Sequence, residues 1–134
     1  YRNSFEFDYN FPKEMIQAKT PKLILQPIVE NSIMHGFLGK KSHGSLRIRG
    51  LQKKDKMVIT ITDNGCGIPS EELRRIMAGE RRKSYHGGGF GLRNIDERIK
   101  LAFGESYGLR VRSKYAIGTQ VSIFLPLDER GELP

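Results

Sequence analysis

A single cysteine, Cys66, in 134 residues excludes an internal disulfide and a zinc site built from several thiolates. It is compatible with a reducing, cytoplasmic setting. No apolar stretch approaches the roughly 20 residues of a membrane-spanning helix, and no signal-peptide pattern opens the chain. No internal repeat or long linker divides it, so the expectation is one domain over residues 1–134. The first residue is Tyr1 rather than an initiator, which suggests a piece of a longer protein. Acidic residues are the minority: 15 Asp and Glu stand against 23 Lys and Arg, a formal net charge of +8. That excess suits anionic partners: nucleotides, nucleic acid or acidic protein surfaces. Lys40-Lys41, Lys53-Lys54 and Arg81-Arg82-Lys83 carry much of it. They are not interleaved with aromatics as a base-stacking surface would be, so nucleic acid ranks low.

The most pointed feature present is Gly87-Gly88-Gly89-Phe90-Gly91-Leu92. Glycine loses more backbone freedom on folding than any other residue, so such a run implies close approach of the backbone to something. Leu92, Ile95, Ile99 and Phe103 follow on one helical stripe, with Arg93, Asp96, Glu97 and Lys100 elsewhere. A glycine loop feeding a helix start suits a phosphate, because free N–H groups and partial positive charge gather there. A flexible surface loop ahead of an ordinary helix would look the same.

Periodicity gives a coarse map of the rest. Phe5, Phe7, Tyr9 and Phe11 alternate with polar residues, which predicts a half-buried strand over 4–11. Thr20-Pro21 reads as an N-cap and first helical position, with a helix to about Phe37 that Pro27 kinks or delays. Residues 45–52 and 57–62 read as a hairpin, and 108–113 with 119–125 as a second. Between them Pro69-Ser70-Glu71-Glu72 opens a short helix with Leu73, Ile76 and Met77 on its apolar face. Residues 79–89 show no periodicity and read as a mobile connection, and the tail after Pro126 as frayed. The pattern predicts an α/β fold: a two-layer sandwich of a mixed, mainly antiparallel sheet with helices on one face.

Two further polar constellations stand out. Asn31 and His35, four residues apart, share a helix face beside the apolar stripe. A carboxamide oxygen there suits Mg²⁺, which keeps several waters and takes phosphate oxygens as ligands; taken alone, a plain polar helix face with His35 near its C-terminus is the better reading. Asp63-Asn64-Gly65-Cys66-Gly67 ends a strand. A carboxylate only accepts hydrogen bonds, so a buried Asp63 would select the exocyclic amine of adenine and reject the carbonyl of guanine. An ordinary Asn-Gly turn is the bland alternative.

Taken together, these stretches resemble the ATP-binding domain of histidine kinases, in the superfamily shared with gyrase, MutL and the large heat-shock chaperone. Gln26-Pro27-Ile28-Val29-Glu30-Asn31-Ser32-Ile33-Met34-His35-Gly36 resembles the asparagine box in its LytS/YesM-like form. Asp63 to Pro69 is similar to the first glycine box, Gly87 to Arg98 to the second, and Gly118-Thr119 to the closing Gly-Thr pair. Four boxes in order over nearly the whole chain make the bland alternatives poor.

The resemblance implies a Bergerat-type fold with ATP between helices and sheet, under a lid from about Ser70 to Gly89. It assigns Asn31 to Mg²⁺ and Asp63 to the adenine amine. Gly65, Gly67 and Ile68 belong to the base-lining turn, and Thr119 supports the base through water. Gly87, Gly89, Gly91 and Leu92 belong to the phosphates. Glu30 is a candidate for polarising the phosphoacceptor histidine, with a structural role as the alternative; apart from the resemblance, His35 and the lid cations Arg81, Arg82 and Lys83 are candidates for bearing on a phosphate. Gyrase-like relatives place a hydrolytic Glu where this chain has Pro27, which disfavours a hydrolysing ATPase; a non-catalytic nucleotide-sensing module is the other alternative. His35, His43 and His86 do not lie in a dimerisation helix, so the resemblance places the phosphoacceptor region outside this chain. It further implies a homodimeric parent, a downstream response regulator, and a cytoplasmic domain of a membrane-anchored bacterial sensor.

Overall fold

Alternating apolar side chains build the sheet, and one helical stripe covers it. The computed structural model describes residues 5–10, 28, 44–79 and 89–127, with 5–10, Lys53, Gly89 and Phe90 described by backbone alone. The described residues form five strands: β1 (Phe5–Asn10), β2 (Gly44–Lys53), β3 (Lys56–Asp63), β4 (Gly108–Lys114) and β5 (Gly118–Pro126). Between β3 and β4 the described residues form two helices, α1 (Ser70–Ala78) and α2 (Gly89–Phe103).

The sheet order is β1-β2-β3-β5-β4. β1 runs parallel to β2 and every other pair is antiparallel. The parallel pair requires a crossover through residues 11–43. There the structure describes Ile28, which is helical and almost fully buried. Both expected hairpins form, and β3 and β5 join them into one sheet.

Period-two alternation decides the two faces. Leu46, Ile48, Met57, Ile59, Ile61, Leu109, Val121, Ile123 and Leu125 are buried. Leu92, Ile95 and Ile99 of α2 and Ile28 complete the core. The opposite face carries Arg47, Arg49, Thr62, Arg110 and Arg112, all exposed, and the Arg110 guanidinium sits 4.9 Å from the centre of the Phe124 ring. This is the two-layer, mainly antiparallel sandwich expected from the sequence.

Three local features differ from the sequence expectation. Helix α2 begins at Gly89, not Leu92. Leu92 is the first residue of the buried stripe, but a helical turn needs no apolar side chain, and the end of the glycine run supplies its first turn. Helix α1 has no fully buried residue; Leu73, Ile76 and Met77 are only half-buried, with Met77 packed on the core. Past Pro126, Leu127 is anchored rather than frayed: it is buried, and its N–H donates to the Asp55 carbonyl at 2.7 Å.

Helix α1 stops at Gly79, which takes the left-handed conformation (φ 79°) and donates its N–H to the Ile76 carbonyl at 3.1 Å. Arg93 of α2 donates to the Met77 carbonyl at 2.8 Å, so the two helices are joined at that end. On α1's outer side the Arg74 guanidinium hydrogen-bonds Glu71 and holds its carboxyl below the usual range. Asp96 of α2 ties the helix to the sheet edge: its Oδ1 accepts the Leu109 N–H at 2.8 Å and lies 3.4 Å from Lys100 Nζ.

Candidate functional site

Asp63 is the one charged residue among those described that is buried, at 8 % exposure. It closes β3 on the core-facing side, in register with Leu46 of β2 and Thr119 of β5. Alternation calls for an apolar residue there. A buried carboxylate is tolerated only with hydrogen-bond partners, and two backbone donors meet its Oδ1: Gly65 N–H at 2.9 Å and Thr119 N–H at 3.2 Å. A carboxylate accepts about four hydrogen bonds. Two rigid donors on one oxygen therefore fix its orientation.

The turn after Asp63 is clamped on both sides. Asn64 exchanges two bonds with Ser45 at the start of β2: its Oδ1 accepts the Ser45 N–H at 2.7 Å, and its own N–H donates to the Ser45 carbonyl at 3.2 Å. On the other side the Cys66 carbonyl accepts the Ala116 N–H at 2.6 Å, in the β4–β5 turn. Gly67 has φ 71°, and a Cβ there would collide with the Lys114 carbonyl oxygen. Gly118 is equally constrained, since its Cβ would strike the Asp63 carbonyl oxygen. Both glycines exist because two backbones pass in contact.

Ser113 completes the clamp, and sequence reasoning did not single it out. Its Oγ accepts the Ile68 N–H at 2.7 Å, lies 2.7 Å from Thr119 Oγ1, and is 3.0 Å from the Gly118 carbonyl. The signal was available: Leu109, Val111 and Ser113 alternate along β4, and Ser113 is the polar member of a core-facing row. Asp63, Thr119 and Ser113 thus form one polar row across β3, β5 and β4.

The second part of the expected site is the start of α2. Gly89 and Gly91 lie in its first turn. The first four N–H groups of a helix have no intrahelical acceptor and carry partial positive charge. Gly91 is exposed, and a Cβ there would meet nothing within 4 Å. The fold itself therefore gives no reason for glycine at 91, unlike 67 and 118. The Leu92 side chain is buried in the core, so only its backbone N–H is available to a phosphate.

Glu30, Asn31, His35 and Gly87 lie outside the described residues, as does the stretch 80–88 of the expected lid. The described part of that lid is α1, joined to α2 by Arg93 and Met77. Among the described residues no group of three or more His, Cys, Asp or Glu side chains forms a metal site. No described helix is long and apolar enough to cross a membrane.

A helix-covered mixed sheet with a buried strand-end carboxylate and a glycine-rich helix start defines a two-layer α/β sandwich with a polar site at its strand ends. The family model described as histidine kinase-, DNA gyrase B-, and HSP90-like ATPase matches residues 17–129, and the chain belongs to that family. It is 36% identical over 126 residues to the sensor histidine kinase YesM of Bacillus subtilis, covering 94% of this chain and 20% of that protein. It is 33% identical over 126 residues to the sensor protein LytS of Staphylococcus epidermidis, covering 94% of this chain and 21% of LytS. The chain thus spans about a fifth of these relatives. The fold also matches the histidine kinase domain of the Erythrobacter litoralis EL346 blue-light activated histidine kinase, with a TM-score of 0.64 at 20% identity. That match covers 97% of this chain and 55% of the other. The catalytic domain of histidine kinase ThkA gives 0.65 at 14% identity, covering 96% and 80%.

Proposed function

We propose that this chain is the ATP-binding catalytic domain of a sensor histidine kinase, which presents the γ-phosphate of ATP to a histidine on a separate dimerisation domain. The observation that carries the reading is Asp63: a buried carboxylate at the strand end, oriented by Gly65 and Thr119, in a member of this ATPase family. It supplies an acceptor suited to the adenine amine, and guanine would set a carbonyl against it. The first turn of α2 offers N–H groups to the phosphates, and Gly91, which is exposed, leaves room for their close approach. Phosphoryl transfer depends mainly on positioning and charge neutralisation, which is what such a wall and helix start provide.

Mg²⁺ belongs to the same reading. A carboxamide oxygen with phosphate oxygens and waters is a donor set that suits it, and Asn31 is the residue assigned to hold it. When bound it supplies neutralisation of phosphate charge. Glu30 and His35 are assigned to the acceptor side and the phosphate side. The remaining partners follow from the kinase reading: the protein's own phosphoacceptor region, a response regulator, a homodimeric parent and a membrane anchor elsewhere in it.

The test is calorimetric titration of the 134-residue chain with ATP and GTP, with and without Mg²⁺, beside Asp63→Asn and Asn31→Ala. The expected result is binding of ATP over GTP, weakened by Asp63→Asn and made insensitive to Mg²⁺ by Asn31→Ala. Equal binding of both nucleotides, or none, would sink it. Restoring the upstream region should then give acid-labile phosphate on histidine, which the isolated chain should not form.

A further inference from the structure

Carboxylates are nearly absent from most of the sheet. Across β2 to β5 the one acidic residue is Asp63, on the core-facing side. Glu6 and Asp8 lie on β1, at the far edge, in register with Ser45 and Arg47. At the β4 edge the outward face carries Arg110, Arg112 and Lys114, all exposed. Arg110 rests over the Phe124 ring. Arg112 and Lys114 have no ion pair among the described residues.

A hollow of about 290 Å³ opens beside these two cations, with Thr62, Arg112, Lys114, Ile117 and Gln120 in its lining. Thr62, Gln120 and Arg112 form one cross-strand row on the face away from α2. The hollow therefore lies behind the polar row of Asp63, Thr119 and Ser113. Tyr115 and Ile117, in the β4–β5 turn, are 67% and 59% exposed. Their turn is held in place: the Ala116 N–H donates to the Cys66 carbonyl at 2.6 Å, and the Ile117 N–H to the Lys114 carbonyl at 3.0 Å. A surface fixed before binding loses little freedom on binding. Cations along an edge strand also discourage strand pairing. That role asks for charge alone and gives no reason for two large apolar side chains next to a hollow.

We propose that this face, at the β4 edge and its turn, docks an acidic protein segment in extended conformation. Charge complementarity and spacing select the occupant. Arg112 and Lys114 stand two residues apart on one strand, roughly 7 Å, which is also the repeat of alternate side chains in an extended peptide. Carboxylates at alternate positions thus meet both cations, and an apolar residue two positions on meets Ile117 and Tyr115. Desolvated apolar contacts at the turn add affinity to pairs that are individually weak in water.

The test follows amide NMR shifts of the 134-residue chain titrated with the acetylated peptide Glu-Ser-Glu-Ser-Leu. The expected footprint is Thr62 and residues 112–120, with affinity falling as salt rises. Arg112→Glu combined with Lys114→Glu should weaken binding roughly tenfold or more. Arg112→Gln with Lys114→Gln, which removes the charges without reversing them, should lose part of it and serves if the reversed pair does not fold. Replacing the peptide's Leu by Ser should weaken binding, and replacing both Glu by Lys should abolish it. Asp63→Asn should leave peptide binding intact, so the nucleotide reading and this one fail separately. No binding, a footprint elsewhere, equal binding of the Lys peptide, or indifference to both pairs of substitutions would overturn the proposal. Tighter binding of a short oligothymidylate at the same residues would also overturn it, by marking a polyphosphate surface instead.

Discussion

The Thr119 backbone N–H donates to Asp63 Oδ1 at 3.2 Å across the β3–β5 register, joining residues 56 positions apart in the chain. This bond holds the carboxylate still and couples the second hairpin to the turn after β3. It follows that Asp63 serves the fold as well as the site. Asp63→Ala leaves the Gly65 and Thr119 N–H groups without their acceptor, and should cost about 1–3 kcal/mol. Asp63→Asn keeps an acceptor oxygen and should cost less, while still weakening ATP because its other terminal atom is a donor facing a donor. Denaturant melts of both variants, read beside their ATP affinities, check the separation.

The glycines should divide by cause. Gly91→Ala meets open space and improves helix propensity, so the ligand-free chain should be unchanged or more stable by up to about 1 kcal/mol. ATP affinity should fall. Gly67→Ala drives a methyl into the Lys114 carbonyl at a left-handed backbone position, and should destabilise by about 2 kcal/mol or more. Melting curves with and without ATP distinguish them; a Gly91→Ala chain that loses stability without ligand would refute the assignment.

Asp96 is the expected weak point of the sheet edge. Its Oδ1 accepts the Leu109 N–H and faces Lys100, and Lys100 also donates to the Tyr107 carbonyl at 2.7 Å. Asp96→Ala should cost about 1–2 kcal/mol. Asp96→Asn, which keeps the acceptor, should recover most of that. Urea midpoints at constant slope decide it.

Arg93 should control α1 locally. It donates to the Met77 carbonyl at 2.8 Å and pairs with Glu97 at 2.7 Å. The ion pair is half-exposed and contributes little, whereas the carbonyl bond fixes the end of a helix that has no fully buried residue. Arg93→Ala should therefore speed hydrogen exchange in residues 70–78 and leave β3 and β5 protected. Uniform acceleration across the sheet would contradict it.

The strands, the α2 stripe and the glycine turns were legible in the sequence because each rests on local period or local backbone freedom. Leu46 and Ile48, or Ile59 and Ile61, show their side of the sheet whatever lies next to them. Asp63 was legible too, as a carboxylate ending a β-branched run. The half-burial of Leu73, Ile76 and Met77 was not, because an apolar face on a short helix says nothing of how much surface exists to cover it. The start of α2 at Gly89 escaped because periodicity registers only buried side chains. Ser113 escaped because its role arises from strand register: only pairing β4 with β5, and β5 with β3, sets its hydroxyl between Ile68 and Thr119. The sequence by itself determined which faces are apolar and where the backbone must turn, since those follow from side-chain transfer and steric limits residue by residue. The tertiary structure alone decided which polar atoms meet, because hydrogen bonds form over about 3 Å between groups that the chain holds dozens of residues apart.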